Sequence, residues 1–239
     1  MKSKVIVYSS NKGGVGKSTI ALNVAGYLGL KENVLYIGLD GQKNSTHILK
    51  ENDAPNTIYE VLGGKVNIHD AIYPSKFKGV SYIPESRKMD NVNVDRLALK
   101  KLIQPVLREY SHIIIDCPPA LSSVVYSAYT SATSIVVPSE LDKFSSDNLV
   151  HVLKTIEQLN SKTDIYVLPN MVVSNSKLHK KVKGELEAYI STKDKINLSK
   201  DLPHSIEVSN QMFDNKLLTL SNKFNKLKTA LKKHANEVR

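Results

Sequence analysis

Short apolar runs alternate with longer stretches of mixed polarity along the whole chain. Apolar residues dominate positions 4–8, 33–39, 80–83, 112–116, 134–137 and 165–168. Runs of this length, bounded by turn or polar residues, predict buried strands. Pro84 stops the third of them, Pro118-Pro119 the fourth and Pro138 the fifth. The stretches between carry helical spacing. Positions 18–30 place Ile20, Leu22, Val24, Ala25 and Leu28 at helix-compatible intervals. Positions 57–62 predict a short helix ended by Gly63-Gly64. Positions 95–110 predict a longer one, with Leu97, Leu102, Val106 and Leu107 near one face and Pro105 set to kink it. Further helices are predicted over 121–132, over 145–159 with Ser145 as N-cap, over 177–190, and over most of 217–238.

Strands alternating with helices mean βαβ units. The expected fold class is α/β: a doubly wound, mostly parallel sheet with helices on both faces. No internal repeat, low-complexity linker or proline-rich hinge interrupts the 239 residues. One domain over 1–239 is therefore expected, with a basic helical region at about 171–239. No stretch approaches the roughly 20 apolar residues of a spanning helix, and the apolar run at the N-terminus is too short for a signal peptide. Cys117 is the one cysteine, which excludes an intrachain disulfide or a cysteine metal cage and suits a reducing, cytoplasmic setting.

Charge changes this picture in one respect. The net charge is +10, and residues 171–239 hold about 14 Lys/Arg against about 7 Asp/Glu. A surplus concentrated in one region points to a polyanionic partner, against the alternative of a lysine-rich surface kept for solubility.

The chemistry sits between the first strand and the first helix, at Asn11-Lys12-Gly13-Gly14-Val15-Gly16-Lys17-Ser18-Thr19. Asn11 stands where the standard phosphate loop has its first glycine. Gly13, Gly14 and Gly16 let the backbone turn tightly and aim N–H groups inward. Lys17 is placed to reach terminal phosphates, the Ser18 hydroxyl to bind Mg²⁺, and the following helix to aim its N-terminus at the anion. Further strand ends carry carboxylates. Asp40 follows the second strand, and His112-Ile113-Ile114-Ile115-Asp116 is a Walker B-like strand whose aspartate can hold Mg²⁺ through water. Cys117, beside it, reads as a small buried hydrophobe.

The octet from Lys12 to Thr19 resembles the deviant Walker A box of the ParA/MinD ATPases. That resemblance implies ATP and Mg²⁺ as ligands. It implies that Lys12, Gly13, Gly14, Val15, Gly16, Lys17, Ser18 and Thr19 cradle the nucleotide. It implies that Lys12 is the signature lysine that crosses a dimer interface to the partner's phosphates. The family's D-x-D-P-Q pattern is matched at Asp40 and Gln42 and departed from at Gly38 and Gly41, and its D-x-P-P at Asp116 to Pro119. The resemblance ties Asp40 to hydrolysis, and gives Ser18, Asp40 and Asp116 to the metal. Asn170, after Val167-Leu168-Pro169, falls where relatives contact adenine, and Leu202-Pro203 resembles a loop near the base.

Within that family a small ParA-type, Soj-like DNA-partitioning ATPase is expected, as a homodimer on non-specific double-stranded DNA, associated with the nucleoid. Its implied partner is a ParB-like adaptor that stimulates a weak ATPase. Lys177, Lys180, Lys181, Lys183, Lys216 and Lys223 are the candidate DNA contacts. The first strand begins near Lys4, so no N-terminal helix-turn-helix is expected. The alternative is a MinD-like ATPase that binds membrane through Phe224, Leu227 and Leu231, although such a stripe more often packs on its own core. A cluster-binding reductase relative is disfavoured by the lone Cys117.

Overall fold

The computed structural model describes residues 3–42, 44–142, 145–223 and 225–239, and the side chains of 145–147 stand outside that description. Within it the strands are β1 (Lys4–Tyr8), β2 (Val34–Gly38), β3 (Tyr73–Pro74), β4 (Val80–Ile83), β5 (His112–Asp116), β6 (Ser134–Glu140), β7 (Asp164–Asn170) and β8 (Ile196–Leu198). The helices are α1 (Lys17–Leu28), α2 (Asn44–Leu49), α3 (Ile58–Leu62), α4 (Ala98–Leu102), α5 (Ser123–Ser131), α6 (Ser145–Leu159), α7 (Lys177–Ile190), α8 (Ile206–Phe213) and α9 (Lys226–Val238). The strands form a sheet in the order β3-β4-β2-β5-β1-β6-β7-β8, parallel except at the β3 edge. The chain order reverses around β1, so the loop after β1 opens at a switch point, where open α/β sheets bind ligands.

Alternate residues of the central strands feed two cores. Val5, Val7, Leu35, Ile37, Ile113 and Ile115 pack with the helices of one face. Ile6, Tyr8, Tyr36, Ile114 and Val136 pack with α1 and α9 on the other. Helix α1 is buried nearly all round, because the C-terminal segment seals its outer side. Asn23 Oδ1 accepts from Thr219 N at 3.0 Å, and a Cβ on Gly26 would come within 2.4 Å of Leu217.

Three expectations are corrected here. The helix over 95–110 is only the five-residue α4, followed by a 3-10 turn at Gln104–Val106, because Pro105 removes an N–H from the helical ladder. Most of 217–238 is helical as expected: a 3-10 turn at Leu218–Leu220 precedes α9, which begins at Lys226 and is capped by Asn225. The strand expected to stop at Pro138 runs on to Glu140, and β7 likewise passes through Pro169. Both prolines are tolerated because on one side the neighbouring strand has already ended: β1 pairs β6 only as far as Val136, and β8 pairs β7 only as far as Val167. The N-cap expected at Ser145 falls on a side chain outside the described ones. Helices α2 and α8 and strands β3 and β8 are not among the expected elements.

Candidate nucleotide site

The site grows from the carboxyl ends of β1, β2 and β5. Tyr8 ends β1, and the chain then turns through Gly14 and Gly16, both with positive φ (77° and 89°), before α1 starts at Lys17. Gly16 has a second reason to lack a side chain: a Cβ there would lie 2.5 Å from Asn170 Nδ2. That amide donates to Val15 O at 2.9 Å, so the end of β7 props the loop from behind. Among the described residues, no group of three or more His, Cys, Asp or Glu that could hold a metal ion occurs.

Lys17 is buried, its Nζ donating to Lys12 O at 3.3 Å. Burial lowers its pKa, while the charges of Asp116, Cys117 and Asp40 push the other way. Asp116 is fully buried. Its Oδ2 accepts from Tyr36 Oη at 2.9 Å and Ser45 Oγ at 3.3 Å, and its Oδ1 has no hydrogen-bond partner among the described residues. Burial raises its pKa to about 6, against the lowering effect of Ser18, Tyr36 and Lys17. A buried carboxylate oxygen left open beside the Ser18 hydroxyl and a buried lysine suits a hydrated divalent cation. Asp40 is half-buried, its Oδ1 accepting from Gln42 N at 3.0 Å in a local turn. Cys117 is buried, and burial pushes its thiol up, so it is inert.

Lys12 lies at the rim of the loop. Its ammonium donates to Glu140 at 2.6 Å and to Asp142 at 2.7 Å, at and just beyond the end of β6. The hydrogen bonds to Asp142 and Glu140 raise its pKa. In the single chain this cation is therefore held in cis.

A cavity of about 410 Å³ opens next to the loop, lined by Gly14, Gly16, Thr19 and Asn170 on one side and by Leu202, Pro203, Val208 and Met212 on the other. Its apolar wall and its place beside Gly16 suit a flat heterocycle. Asn170 thus stands at both the loop and the cavity.

The candidate DNA residues lie on three segments: α7, the stretch after α8 and the stretch before α9. Lys177, Lys180 and Lys181 are exposed on the first turns of α7. Lys183, on the same helix, is half-buried and paired with Asp201 at 2.8 Å. Lys216 pairs with Asp214 at 3.3 Å, and Lys223 is exposed beyond it. Of the membrane stripe, Phe224 lies outside the described residues, while Leu227 and Leu231 are buried in the core against α1. No helix among the described residues is long and apolar enough to cross a membrane.

Sequence reasoning missed Tyr36, Ser45, Glu85, Glu140 and Asp142. Glu85 and Glu140 had a usable signal, since both sit at the carboxyl end of a strand. Tyr36 and Ser45 had none, because only the folded sheet brings them to Asp116. The departure at Gly38 finds its reason, since a Cβ there would lie 2.3 Å from the buried Glu85 side chain, whereas at Gly41 the nearest atom to a Cβ is the end of the exposed Asp90 side chain, which can move aside.

A family model described as AAA domain matches residues 3–169, well over half of the chain. The sporulation initiation inhibitor protein Soj of Bacillus subtilis (strain 168) is 27% identical over 205 residues, covering 80% of this chain and 81% of Soj. An ATP complex of a Cyanothece McdA variant superposes with a TM-score of 0.87 at 21% identity, covering 100% of this chain and 98% of that one. A plasmid partition protein from Borrelia burgdorferi superposes with a TM-score of 0.75 at 24% identity, covering 90% of this chain and 96% of that one. At such identities the superpositions speak to the fold.

Proposed function

The chain belongs to the AAA-domain family, among its ParA/MinD-type ATPases, and from that premise we propose that it is a DNA-partitioning ATPase that dimerises on ATP, binds DNA non-specifically and releases it on hydrolysis. The observation that carries the nucleotide reading is the buried Lys17 beneath a glycine turn, beside a buried Asp116 with an oxygen that has no hydrogen-bond partner among the described residues. The loop from Lys12 to Thr19 holds the phosphates through its N–H groups and Lys17. Ser18, Asp40 and Asp116 hold the Mg²⁺ shell, with Asp116 acting through water. The bound cation supplies neutralisation of phosphate charge. Asp40 orients the attacking water, and its half-exposed position keeps it open to solvent. Asn170 holds the loop and borders the slot for the base.

Lys12 acts in the partner. Leaving Glu140 and Asp142, it reaches the other subunit's phosphates and stabilises the charge that builds there, as an arginine finger does. The homodimer presents its lysines twice, and each added phosphate contact steepens DNA binding. Lys177, Lys180, Lys181 and Lys223 carry this role, and Lys183 and Lys216 contribute less because each already holds a carboxylate. A ParB-like adaptor stimulates turnover, and the protein works in the cytoplasm on the nucleoid.

The test is binding to random-sequence duplex DNA and to anionic liposomes, each with ATP, with ADP and without nucleotide. ATP-dependent, salt-sensitive binding to DNA alone is expected. Liposome binding without DNA binding would replace this reading with the MinD-like one.

A further inference from the structure

Glu85 lies two residues past the end of β4, and it is 2% exposed. A buried carboxyl needs partners, and Glu85 has them on one side only. Its Oε2 accepts from Thr46 N at 3.0 Å and from Thr46 Oγ1 at 3.1 Å, and its own N–H donates to Thr46 Oγ1 at 3.0 Å. Its Oε1 has no hydrogen-bond partner among the described residues. Thr46 sits in the first turn of α2, next to Ser45, whose hydroxyl bonds both Tyr36 Oη at 2.9 Å and Asp116 Oδ2. One chain of contacts therefore runs from Glu85 through Thr46 and Ser45 to the carboxylate of the nucleotide site.

The carboxyl also has a defined place on the sheet. It lies over Gly38, the last residue of β2, which is in register with Asp116 on β5. An ideal Cβ at Gly38 would be 2.3 Å from both Glu85 Cγ and Oε1. That separation from Oε1 is comparable to the distance between an aspartate's Cβ and its own carboxyl oxygens. A side chain carboxyl at position 38 and the one at position 85 would thus compete for one space.

We propose that Glu85 is a positioning residue of the ATP site: its carboxyl, seated over Gly38, fixes the first turn of α2 through Thr46 and so orients Ser45 and Asp116. The inference rests on the ATPase reading for its kinetic consequence, but the structural linkage stands without it. Ser45 loses its fixed approach to Asp116 when Glu85 is removed, and the carboxylate at the end of β5 then turns more freely. Nucleotide is still held by the loop backbone and Lys17, so affinity survives better than turnover.

The test uses the full chain with Glu85→Ala, Glu85→Gln, Gly38→Asp and the pair Gly38→Asp with Glu85→Ala. Amide hydrogen exchange without nucleotide is read at Ser45 and Thr46, and steady-state ATP hydrolysis and ATP binding are read separately. In Glu85→Ala, exchange at Thr46 should quicken by about tenfold or more while the β1 and β5 amides stay protected. Its kcat should fall about tenfold, with the ATP Kd changed by less than about threefold. Glu85→Gln keeps the acceptor for Thr46 and should retain the protection, which covers the case in which the alanine variant fails to fold. Gly38→Asp alone, with two carboxyls in one space, should lose stability. The pair should regain the Thr46 protection and most of the turnover. Unchanged Thr46 exchange in Glu85→Ala, or a pair no better than Glu85→Ala alone, would overturn the proposal. Absence of ATP binding in the unmodified protein would overturn the ATPase reading instead and leave the exchange result to decide the role of Glu85.

Discussion

Lys17 and Lys12 sit five residues apart and meet opposite environments. Lys17 is buried with a lowered pKa, its nearest acceptor a backbone carbonyl. A buried cation that donates to a backbone carbonyl, and whose pKa burial lowers despite Asp116 and Asp40, is poised for an anion. Lys17→Ala is expected to weaken ATP binding by about a hundredfold or more, as the loss of a charge-assisted contact in a buried site requires. Calorimetric titration checks this. Lys12 is neutralised by Glu140 and Asp142, so any contact it makes in a partner competes with these ion pairs. Glu140→Gln with Asp142→Asn is expected to favour the ATP dimer several-fold, about 1 kcal/mol, because half-exposed ion pairs are worth roughly that. Analytical ultracentrifugation with ATP gives the outcome, and an unchanged dimer constant would count against the competition. Glu85 supplies a pH dependence. Burial raises its pKa to about 8, with Asp116 and Asp40 adding to the rise and the Thr46 hydrogen bonds opposing it. The folded protein then holds a proton that the unfolded chain gives up from about pH 4.5. Stability from this group is therefore full below that pH and is lost as pH rises through about 8. Glu85→Gln should flatten the fall in unfolding free energy across pH 5–8, a change on the order of a few kcal/mol read from chemical denaturation at each pH.

At the scale of elements, α9 decides between two destinies for one apolar stripe. Leu227 and Leu231 face α1, and Asn225 caps the helix by accepting from Leu227 N at 2.8 Å. Leu231→Ala should cost about 2–5 kcal/mol of stability, the usual range for a buried leucine. Chemical denaturation measures this, and liposome binding should not change. A surface helix of membrane-binding type would show the reverse pattern. The pattern over 95–110 shows the limit of periodicity. Of the expected stripe, Val106 is fully buried and Leu102 and Leu107 are partly buried against the core, but Leu97 is exposed and Leu99, outside the stripe, is fully buried, because Pro105 divides the segment into a short helix and a 3-10 turn. Burial there follows from contact with α5 rather than from helical continuity, as the bond from Leu99 N to Ser127 Oγ at 2.8 Å illustrates.

For the whole molecule, the charge surplus of residues 171–239 matters through its distribution. Lys177, Lys180 and Lys181 stand clear at the start of α7, whereas Lys183 and Lys216 hold Asp201 and Asp214. Replacing Lys177, Lys180 and Lys181 together by alanine should lower the salt slope of DNA binding by about 2–3, since each phosphate contact adds about 0.9. Lys183→Ala should act chiefly on stability near α7. Fluorescence anisotropy across a salt series separates the two. An unchanged slope in the triple variant would remove α7 from the DNA surface.

The sequence by itself determined the alternation of strands and helices, the phosphate loop, and the strand-end aspartates. These are local facts: apolar runs at strand length, glycines where the backbone must turn, Lys17-Ser18 opening a helix. It also marked Gly38 and Gly41 as departures without a reason. The tertiary structure decided everything that depends on which strand ends lie side by side. The order β4-β2-β5 sets Glu85, Gly38 and Asp116 in a row, although they stand far apart in the chain. The extension of β6 past Pro138 carries Glu140 to Lys12. The seal of α9 on α1 buries Leu231 in the core. Spacing along a chain encodes local conformation, but these pairings arise only from burying two faces of one sheet at once, and no single segment contains that information.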